Sequence, residues 1–215
     1  MLKLYLCDIT DMPEEPEGLP LSDYRLRRLG ALRPSLVRKQ SIGAELLLIR
    51  ALRDAGERIP PPLDIRVTLG GKPRLAESRY HFSLSHSGRY AACALCEGPV
   101  GLDIQVQRPA DERFLQRFFS SDEQHFVRTS MDSQAAFCEV WTRKESYLKA
   151  IGTGIRGPLS DFSCFHLPEG MSVWHDDQNG GDLHLAVCVQ GERAEPDDCE
   201  WIRAEDLIQD FEENR

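Results

Sequence analysis

Several short segments of the chain alternate hydrophobic and polar positions or are continuously apolar, which predicts strands. The segments are KLYLCDI, IRVTL, HFSLSHS, RYAACALC, VGLDIQV, LSDFSCFHL, SVWHDD, DLHLAVCVQ and CEWIRAEDL. Gly, Pro and Asn-Gly turns separate most of them. The chain is therefore expected to contain several small sheets, with a short acidic helix at its end.

Two stretches change to a spacing of three and four residues. The apolar positions of residues 42–52 and of residues 137–151 each form one stripe, which predicts two long helices. The first is expected to end at Gly56, and the second at Gly152 or Gly154, since glycine commonly follows the last helical turn. A shorter helix is expected in RFFSSDEQHFVRT, capped by Ser121.

Each half of the chain thus offers one long helix and several strands. This order predicts an α+β protein of two pseudo-symmetric lobes, each a small, mostly antiparallel sheet packed on a long helix. Gly98-Pro99 is the expected boundary, which gives an N-terminal lobe of residues 1–98 and a C-terminal lobe of residues 99–215. The active site is expected in the cleft between the lobes.

Composition excludes some classes of protein. Of the 215 residues 41% are hydrophobic and 28% charged, which is ordinary globular usage. The net charge of −9 disfavours nucleic-acid binding, and no apolar run is long enough for a membrane span. The N-terminus does not resemble a signal peptide, and the seven scattered cysteines suit reduced thiols, including the C-x-x-C of AACALC. A cytoplasmic location is expected.

Charge is unevenly distributed along the chain. Residues 25–39 contain six basic residues and no acid, whereas residues 192–215 contain ten acids and three arginines. The basic segment is either a solvated helix face or a local surface for a polyanionic ligand or partner.

Asp103 lies in the predicted strand VGLDIQV. Side chains at alternate positions of a strand share a face, so Asp103 and Gln105 point away from Leu102 and Ile104. A carboxylate and an amide oxygen placed together can share a hard cation such as Mg²⁺. Many strands carry such a pair without binding metal.

The second long helix carries Trp141, Glu145 and Lys149 at intervals of four, one above another on one face. They form either a solvent-facing ion pair or a carboxylate and an ammonium at a functional site. The segment GTGIRG (152–157) follows a helix and is not a dinucleotide fingerprint. In FSLSHSG, His86 lies among serines, which suits either a hydrogen-bonded structural histidine or a site for a phosphate or sugar ligand.

Five segments together resemble the 4′-phosphopantetheinyl transferases, in particular the larger, pseudodimeric type that activates peptide and polyketide synthases. The segments are GGKP (70–73), FSLSHSG (82–88), PVGLDIQ (99–105), RFFSSDE (117–123) and WTRKESYLKAIGTGI (141–155). The resemblance implies a Mg²⁺-dependent transferase (Mn²⁺ is an alternative) that moves the phosphopantetheine arm of coenzyme A to a serine of an apo acyl or peptidyl carrier protein. Adenosine 3′,5′-bisphosphate is the implied second product.

The resemblance also implies roles for particular residues. Asp103 and Glu145 match metal ligands, and Glu145 and Lys149 match catalytic positions. Gln105 stands where many relatives carry a carboxylate, so it is expected to bind metal weakly or through water. The positions that match coenzyme-binding residues are Lys149, Lys72, Ser85, His86, Arg38 and, on a looser alignment, Arg28.

The sequence is also compatible with two other functions. One is a non-catalytic module that binds coenzyme A or a carrier, and the other is a metal-dependent hydrolase of nucleotide pyrophosphates. A monomer is expected, because both halves lie in one chain. The sequence does not specify the carrier.

Overall fold

The structure is a computed structural model that describes residues 1–33, 35–152 and 158–212. The strands are β1 (Leu2–Asp8), β2 (Ile65–Val67), β3 (Pro73–Leu75), β4 (His81–Ser87), β5 (Tyr90–Cys96), β6 (Val100–Val106), β7 (Met171–Gln178), β8 (Leu183–Gln190) and β9 (Asp198–Trp201). The helices are α1 (Asp23–Gly30), α2 (Leu36–Asp54), α3 (Glu112–Phe118), α4 (Ser121–Thr129), α5 (Ser133–Ile151) and α6 (Ala204–Glu212). Short 3₁₀ turns lie at Leu159–Asp161 and Asn179–Gly181.

The chain divides into two compact units. The first contains Met1–Leu69, Pro73–Gly98 and the chain from Pro196 onward, and the second contains Gly70–Lys72 and Pro99–Glu195. In each unit a long helix and a small sheet form the main layers, so the predicted α+β class is confirmed.

The first unit is built on a sheet with the strand order β4-β5-β1-β9. Strand β5 is antiparallel to both of its neighbours, whereas β9 runs parallel to β1. Helix α2 buries Ile42, Leu46 and Leu47 in the same core as Cys7 and Ala91 of the sheet. Burial of this stripe, and not helix propensity alone, holds α2 in place.

The C-terminal residues belong to the first unit. The Asp197 backbone N–H donates to the Leu2 carbonyl oxygen at 2.8 Å, and Arg50 of α2 pairs with Asp210 at 3.2 Å. The predicted C-terminal lobe of residues 99–215 placed this segment in the other unit. The structure differs because β9 completes the sheet edge beside β1, a pairing between distant parts of the chain.

The second unit is an antiparallel sheet of order β6-β8-β7, with α5 on one face. The Asp132 side chain caps α5 by accepting the N–H groups of Gln134 and Ala135. The helix ends at Ile151, and Gly152 follows with a φ of 68°, as predicted for the first of its two candidate ends. The alternative end, Gly154, lies outside the described residues.

Some local predictions were wrong. Residues 159–167 form a 3₁₀ turn and irregular chain instead of a strand, and helices α1 and α3 were not predicted. The cap of α4 is Ser120, one residue before the predicted Ser121, because the Glu123 carboxylate accepts the Ser120 N–H at 2.8 Å. All seven cysteines carry free thiols. Among the described residues, no helix combines the length and apolar character that a membrane crossing requires.

Candidate active site

Strand β6 lies close against α5 because residue 101 is a glycine. A Cβ built at Gly101 would lie 1.9 Å from the carbonyl oxygen of Ser146 and 2.3 Å from the backbone nitrogen of Ala150. Gly101 and Asp103 share a face of the strand. The close approach therefore turns Asp103 toward the helix that carries Glu145 and Lys149.

Asp103, Glu145 and Lys149 form a charged cluster. Lys149 Nζ donates to Asp103 Oδ1 at 2.6 Å and to the carbonyl oxygen of Leu102 at 2.9 Å. Glu145 lies one helical turn before Lys149 on the same face of α5. Asp103 is 7% exposed, so this cluster is partly shielded from water. The structure brings together the strand carboxylate and the two helix residues that sequence reasoning singled out.

The pKa of Glu145 is raised above the ordinary glutamate value. Burial is the main cause, the negative charge of Asp103 adds to it, and the Lys149 ammonium opposes it. The cluster therefore contains two carboxylates whose repulsion one ammonium only partly offsets.

Asp103 and Glu145 fit a hard divalent cation. Carboxylate oxygens are the donors that Mg²⁺ and Mn²⁺ prefer, and a divalent charge would relieve the repulsion that raises the pKa of Glu145. Within residues 1–33, 35–152 and 158–212, no group of three or more His, Cys, Asp and Glu side chains is arranged to hold a metal ion. Water, an amide or substrate oxygens would have to complete the coordination, as is common for Mg²⁺.

Gln105 follows Asp103 on the same face of β6. Its Nε2 donates to the carbonyl oxygen of Val106 at 2.9 Å. His184 lies opposite Gln105 in the β6–β8 pairing and is 2% exposed. Burial lowers the pKa of His184, so its imidazole is neutral at pH 7. Gln105 therefore has a neutral cross-strand neighbour.

Lys72 belongs to the second unit, and its ammonium is hydrogen-bonded to backbone carbonyl groups. Nζ donates to the carbonyl oxygens of Val100 at 2.8 Å and Ala150 at 3.2 Å. Burial lowers the pKa of Lys72 to about 8. The Lys72 side chain thus joins the end of α5 to the start of β6. A cation placed against the last turn of α5 also interacts favourably with the helix dipole.

Arg38 is directed into the first unit. Its guanidinium donates to the carbonyl oxygens of Glu14 at 2.8 Å, Leu29 at 2.9 Å and Leu32 at 3.2 Å, and it pairs with Glu15 at 2.8 Å. Arg38 is 8% exposed. The phosphate-binding role predicted for Arg38 would require some of these bonds to break, and it stays a prediction.

The rest of the basic segment divides into buried and exposed residues. Arg25 is buried and pairs with the buried Glu45 at 2.9 Å, which fastens α1 to α2. Arg27, Arg28 and Arg33 are exposed. Only part of the predicted basic segment is therefore a surface that can meet an anion.

Ser85 and His86 lie on β4 of the first unit, opposite Ala92 and Ala91 of β5. Adjacent residues of a strand point to opposite faces. Ser85 is buried and His86 is exposed, in keeping with that rule. The two predicted phosphate ligands therefore leave opposite faces of the strand.

A buried ion pair on the helix that carries Glu145 and Lys149 could not be foreseen from the periodicity of the sequence. Lys144 Nζ donates to both Glu123 oxygens, at 2.7 and 2.9 Å, and to the carbonyl oxygen of Phe162 at 2.6 Å. Glu123 also accepts the N–H groups of Ser120 and Cys164. The signal in the sequence was the S-x-x-E capping pattern from Ser120 to Glu123. This pair ties α4, α5 and the segment that follows α5 together.

Comparison with known proteins identifies relatives of the chain. The family model of the 4′-phosphopantetheinyl transferase superfamily matches residues 99–193, which contain Asp103, Glu145 and Lys149. A 4′-phosphopantetheinyl transferase of Bacillus subtilis is 31% identical over 74% of this chain and 75% of its own length. A putative 4′-phosphopantetheinyl transferase of Haemophilus influenzae is 29% identical over 79% and 77%.

The transferase Sfp of Bacillus subtilis strain 168 is 38% identical, over 43% of each chain. The matches that cover most of the two chains span parts of both units. Two findings assign the chain to a family. The Bacillus subtilis transferase that is 31% identical matches about three quarters of both chains, and the family model matches the second unit. The chain belongs to the 4′-phosphopantetheinyl transferase superfamily and is an enzyme of the transferase class.

Proposed function

We propose that the protein transfers the 4′-phosphopantetheine arm of coenzyme A to a serine hydroxyl of an apo acyl or peptidyl carrier protein. The serine oxygen bonds to the β-phosphorus of the coenzyme's pyrophosphate, and adenosine 3′,5′-bisphosphate leaves with the electron pair of the broken P–O bond. The observation that supports this proposal is the cluster of Asp103, Glu145 and Lys149, which lies inside the segment matched by the family model.

Asp103 and Glu145 are the residues that would hold a Mg²⁺ or Mn²⁺ ion. When bound, such an ion neutralises pyrophosphate charge and acts as a Lewis acid. Phosphoryl transfer leaves the protein mainly positioning and electrostatic work. We assign the proton of the carrier serine to Glu145, whose carboxylate lies in the same cluster as Asp103 and Lys149. Lys149 offsets the charge on the departing phosphate.

Other residues are proposed to bind the coenzyme. In the first unit, Arg28 and His86 are exposed, whereas Ser85 and Arg38 are buried. In the second unit, Lys72 would bind a phosphate at the expense of a hydrogen bond to a backbone carbonyl oxygen. We therefore rank Arg28 and His86 ahead of Arg38, the reverse of the order that the sequence favoured for the two arginines.

The exposed part of the basic segment is proposed to contact the carrier. Arg27 and Arg33 are exposed, as are the aliphatic side chains of Leu26, Leu36 and Val37 in the same stretch of the sequence, in a protein whose net charge is −9. A surface that is both basic and apolar suits an acidic, amphipathic partner helix. A monomer and a cytoplasmic location stay predictions.

One assay tests the proposed function against its alternatives. The protein is incubated with Mg²⁺, coenzyme A and an apo carrier protein, and the carrier is weighed by mass spectrometry. We expect a gain of one phosphopantetheine arm and an equal amount of adenosine 3′,5′-bisphosphate. Coenzyme binding without a mass gain would instead identify a binding module. Bisphosphate release that needs no carrier would identify a hydrolase.

Gln105→Glu is expected to lower the Mg²⁺ concentration for half-maximal transfer by about three- to tenfold, since a carboxylate binds the ion more strongly than an amide. Gln105→Met, which keeps the length but has no oxygen, serves as the matched control and is expected to raise that concentration. The Mg²⁺ dependence of the initial transfer rate is the measurement. Identical titrations for all three proteins would place residue 105 outside the coordination sphere.

A further inference from the structure

The position next to Asp103 is already taken by a positive charge of the protein itself. Lys149 Nζ lies 2.6 Å from Asp103 Oδ1, a short, charge-assisted hydrogen bond. The Asp103 side chain is 10% exposed, so water screens this bond only weakly. A cation that binds Asp103 therefore has to compete with the Lys149 ammonium.

The Lys149 ammonium makes a second hydrogen bond that does not involve Asp103. Lys149 Nζ also donates to the carbonyl oxygen of Leu102 at 2.9 Å, and an ammonium has three donors on a flexible four-carbon stem. When Lys149 loses its bond to Asp103, the Leu102 carbonyl can keep the ammonium at the same site. The Lys149 side chain is 31% exposed, so the released donor can reach an arriving anion.

We propose that Lys149 is a built-in placeholder cation, which leaves the Asp103 carboxylate when a divalent ion binds there and then pairs with the phosphate of the substrate. This exchange concerns the order of binding at the proposed site and rests on the proposed metal ligands. It keeps Asp103 neutralised before the ion arrives. It also delivers the ammonium to the phosphate only after the ion is in place.

The exchange has two thermodynamic consequences. In the absence of substrate, competition from Lys149 weakens binding of the divalent ion. An anion that takes up the displaced ammonium removes this competition, so the ion and the anion strengthen each other's binding by the same factor. An ion pair that served only to stabilise the fold would also compete with the ion, but it would not couple the ion to the anion.

The first experiment measures Mn²⁺ binding by electron paramagnetic resonance, without coenzyme and without carrier. Lys149→Met removes the ammonium and keeps an apolar side chain of similar length. We expect it to bind Mn²⁺ about tenfold more tightly than the wild type, as loss of one charge-assisted competitor implies. Lys149→Arg keeps a cation and is expected to stay near the wild type. Equal or weaker binding by Lys149→Met would overturn the proposal.

Controls separate direct exchange from a general change of charge. Arg143→Met removes a positive charge from the same helix, where Arg143 pairs with Glu139 at 2.8 Å and not with Asp103. We expect a much smaller effect from it, and a gain equal to that of Lys149→Met would refute direct exchange. Asp103→Asn should bind Mn²⁺ weakly, with or without Lys149→Met. If Asp103→Asn binds like the wild type, Asp103 is not a ligand and the exchange fails with it.

The second experiment measures the coupling. Adenosine 3′,5′-bisphosphate, used as the anion probe, should tighten Mn²⁺ binding in the wild type and much less in Lys149→Met. Equal tightening in both proteins would contradict the transfer of the ammonium to phosphate. Because neither experiment involves a carrier, a wild type that shows the exchange but modifies no carrier would refute only the proposed function. A wild type that modifies carriers but shows no exchange would refute only this inference.

Discussion

Asp103→Asn and Glu145→Gln are each expected to reduce the rate of carrier modification by about a thousandfold or more. Each change removes one negative oxygen donor from the proposed ion site, and Glu145→Gln also removes the proposed proton acceptor. The neutral replacements have nearly the same volume, so the cluster of side chains around them stays filled. Single-turnover mass gain of the carrier, at saturating coenzyme A, measures the loss.

Both variants are expected to fold. The Lys149 side chain is 31% exposed, so water can take up the donor that loses its charged partner in Asp103→Asn. In Asp103→Asn, Lys149 keeps its bond to the Leu102 carbonyl. Circular dichroism and thermal unfolding check the fold. We expect melting temperatures close to that of the wild type, so that a lost rate reports chemistry and not unfolding.

Glu139→Gln is a matched control for these variants. Glu139 lies on the same helix and pairs with Arg143 at 2.8 Å, away from the cluster of Asp103, Glu145 and Lys149. Its neutralisation changes the charge of α5 by the same amount as Glu145→Gln. We expect its rate to stay within a few fold of the wild type. Near-wild-type modification by Asp103→Asn or Glu145→Gln would instead remove the carboxylate pair from the mechanism.

The cluster of functional residues could be predicted because its signals are local. A period of two places Gly101, Asp103 and Gln105 on one face of a strand, and a period of four places Glu145 above Lys149 on a helix. The resemblance added the expectation that these two faces meet. What could not be predicted is the Lys149–Asp103 bond, because side-chain contact between two distant segments has no local pattern.

Whether each arginine side chain of the basic segment points into the core or into solvent also could not be predicted. Arg25 and Arg38 look like their exposed neighbours in the sequence, yet both are buried. Arg38 turns inward because its guanidinium donates to the carbonyl oxygens of Leu29, at the end of α1, and of Leu32, just beyond it. Arg25 turns inward because Glu45 is buried on α2 and requires a positive partner. Both reasons depend on how α1 and α2 pack.

The predicted division of the chain differed from the structure for a related reason. A strand pattern shows that residues 198–201 are extended, but it does not show which strand they join. Pairing of Leu4 with Cys199 crosses almost the whole chain, and the parallel β1–β9 ladder places the C-terminal segment in the first unit. Non-local pairing of this kind is set by the edge left open beside β1 and by the burial of Leu207 of α6 in the same core.

Gly101→Ala is expected to destabilise the second unit by at least about 3 kcal/mol, at the upper end of the usual cost of overpacking. The added Cβ would lie 1.9 Å from the Ser146 carbonyl oxygen and 2.3 Å from the Ala150 nitrogen. Both atoms belong to the backbone of α5, so no side-chain rotation can relieve the clash. The helix has to move away from β6 as a body, and its last turn carries the Lys72 bond to Ala150.

Urea unfolding followed by tryptophan fluorescence measures this effect, because Trp141 and Trp174 both lie in the second unit. Gly30→Ala is the control, since a Cβ built at Gly30 meets no atom within 4 Å. We expect Gly30→Ala to stay within about 0.5 kcal/mol of the wild type. A Gly101→Ala protein of wild-type stability would show that β6 and α5 do not approach as closely as described. That result would also contradict the explanation given for the orientation of Asp103. The same backbone contact between β6 and α5 sets both the stability of the unit and the geometry of its carboxylates.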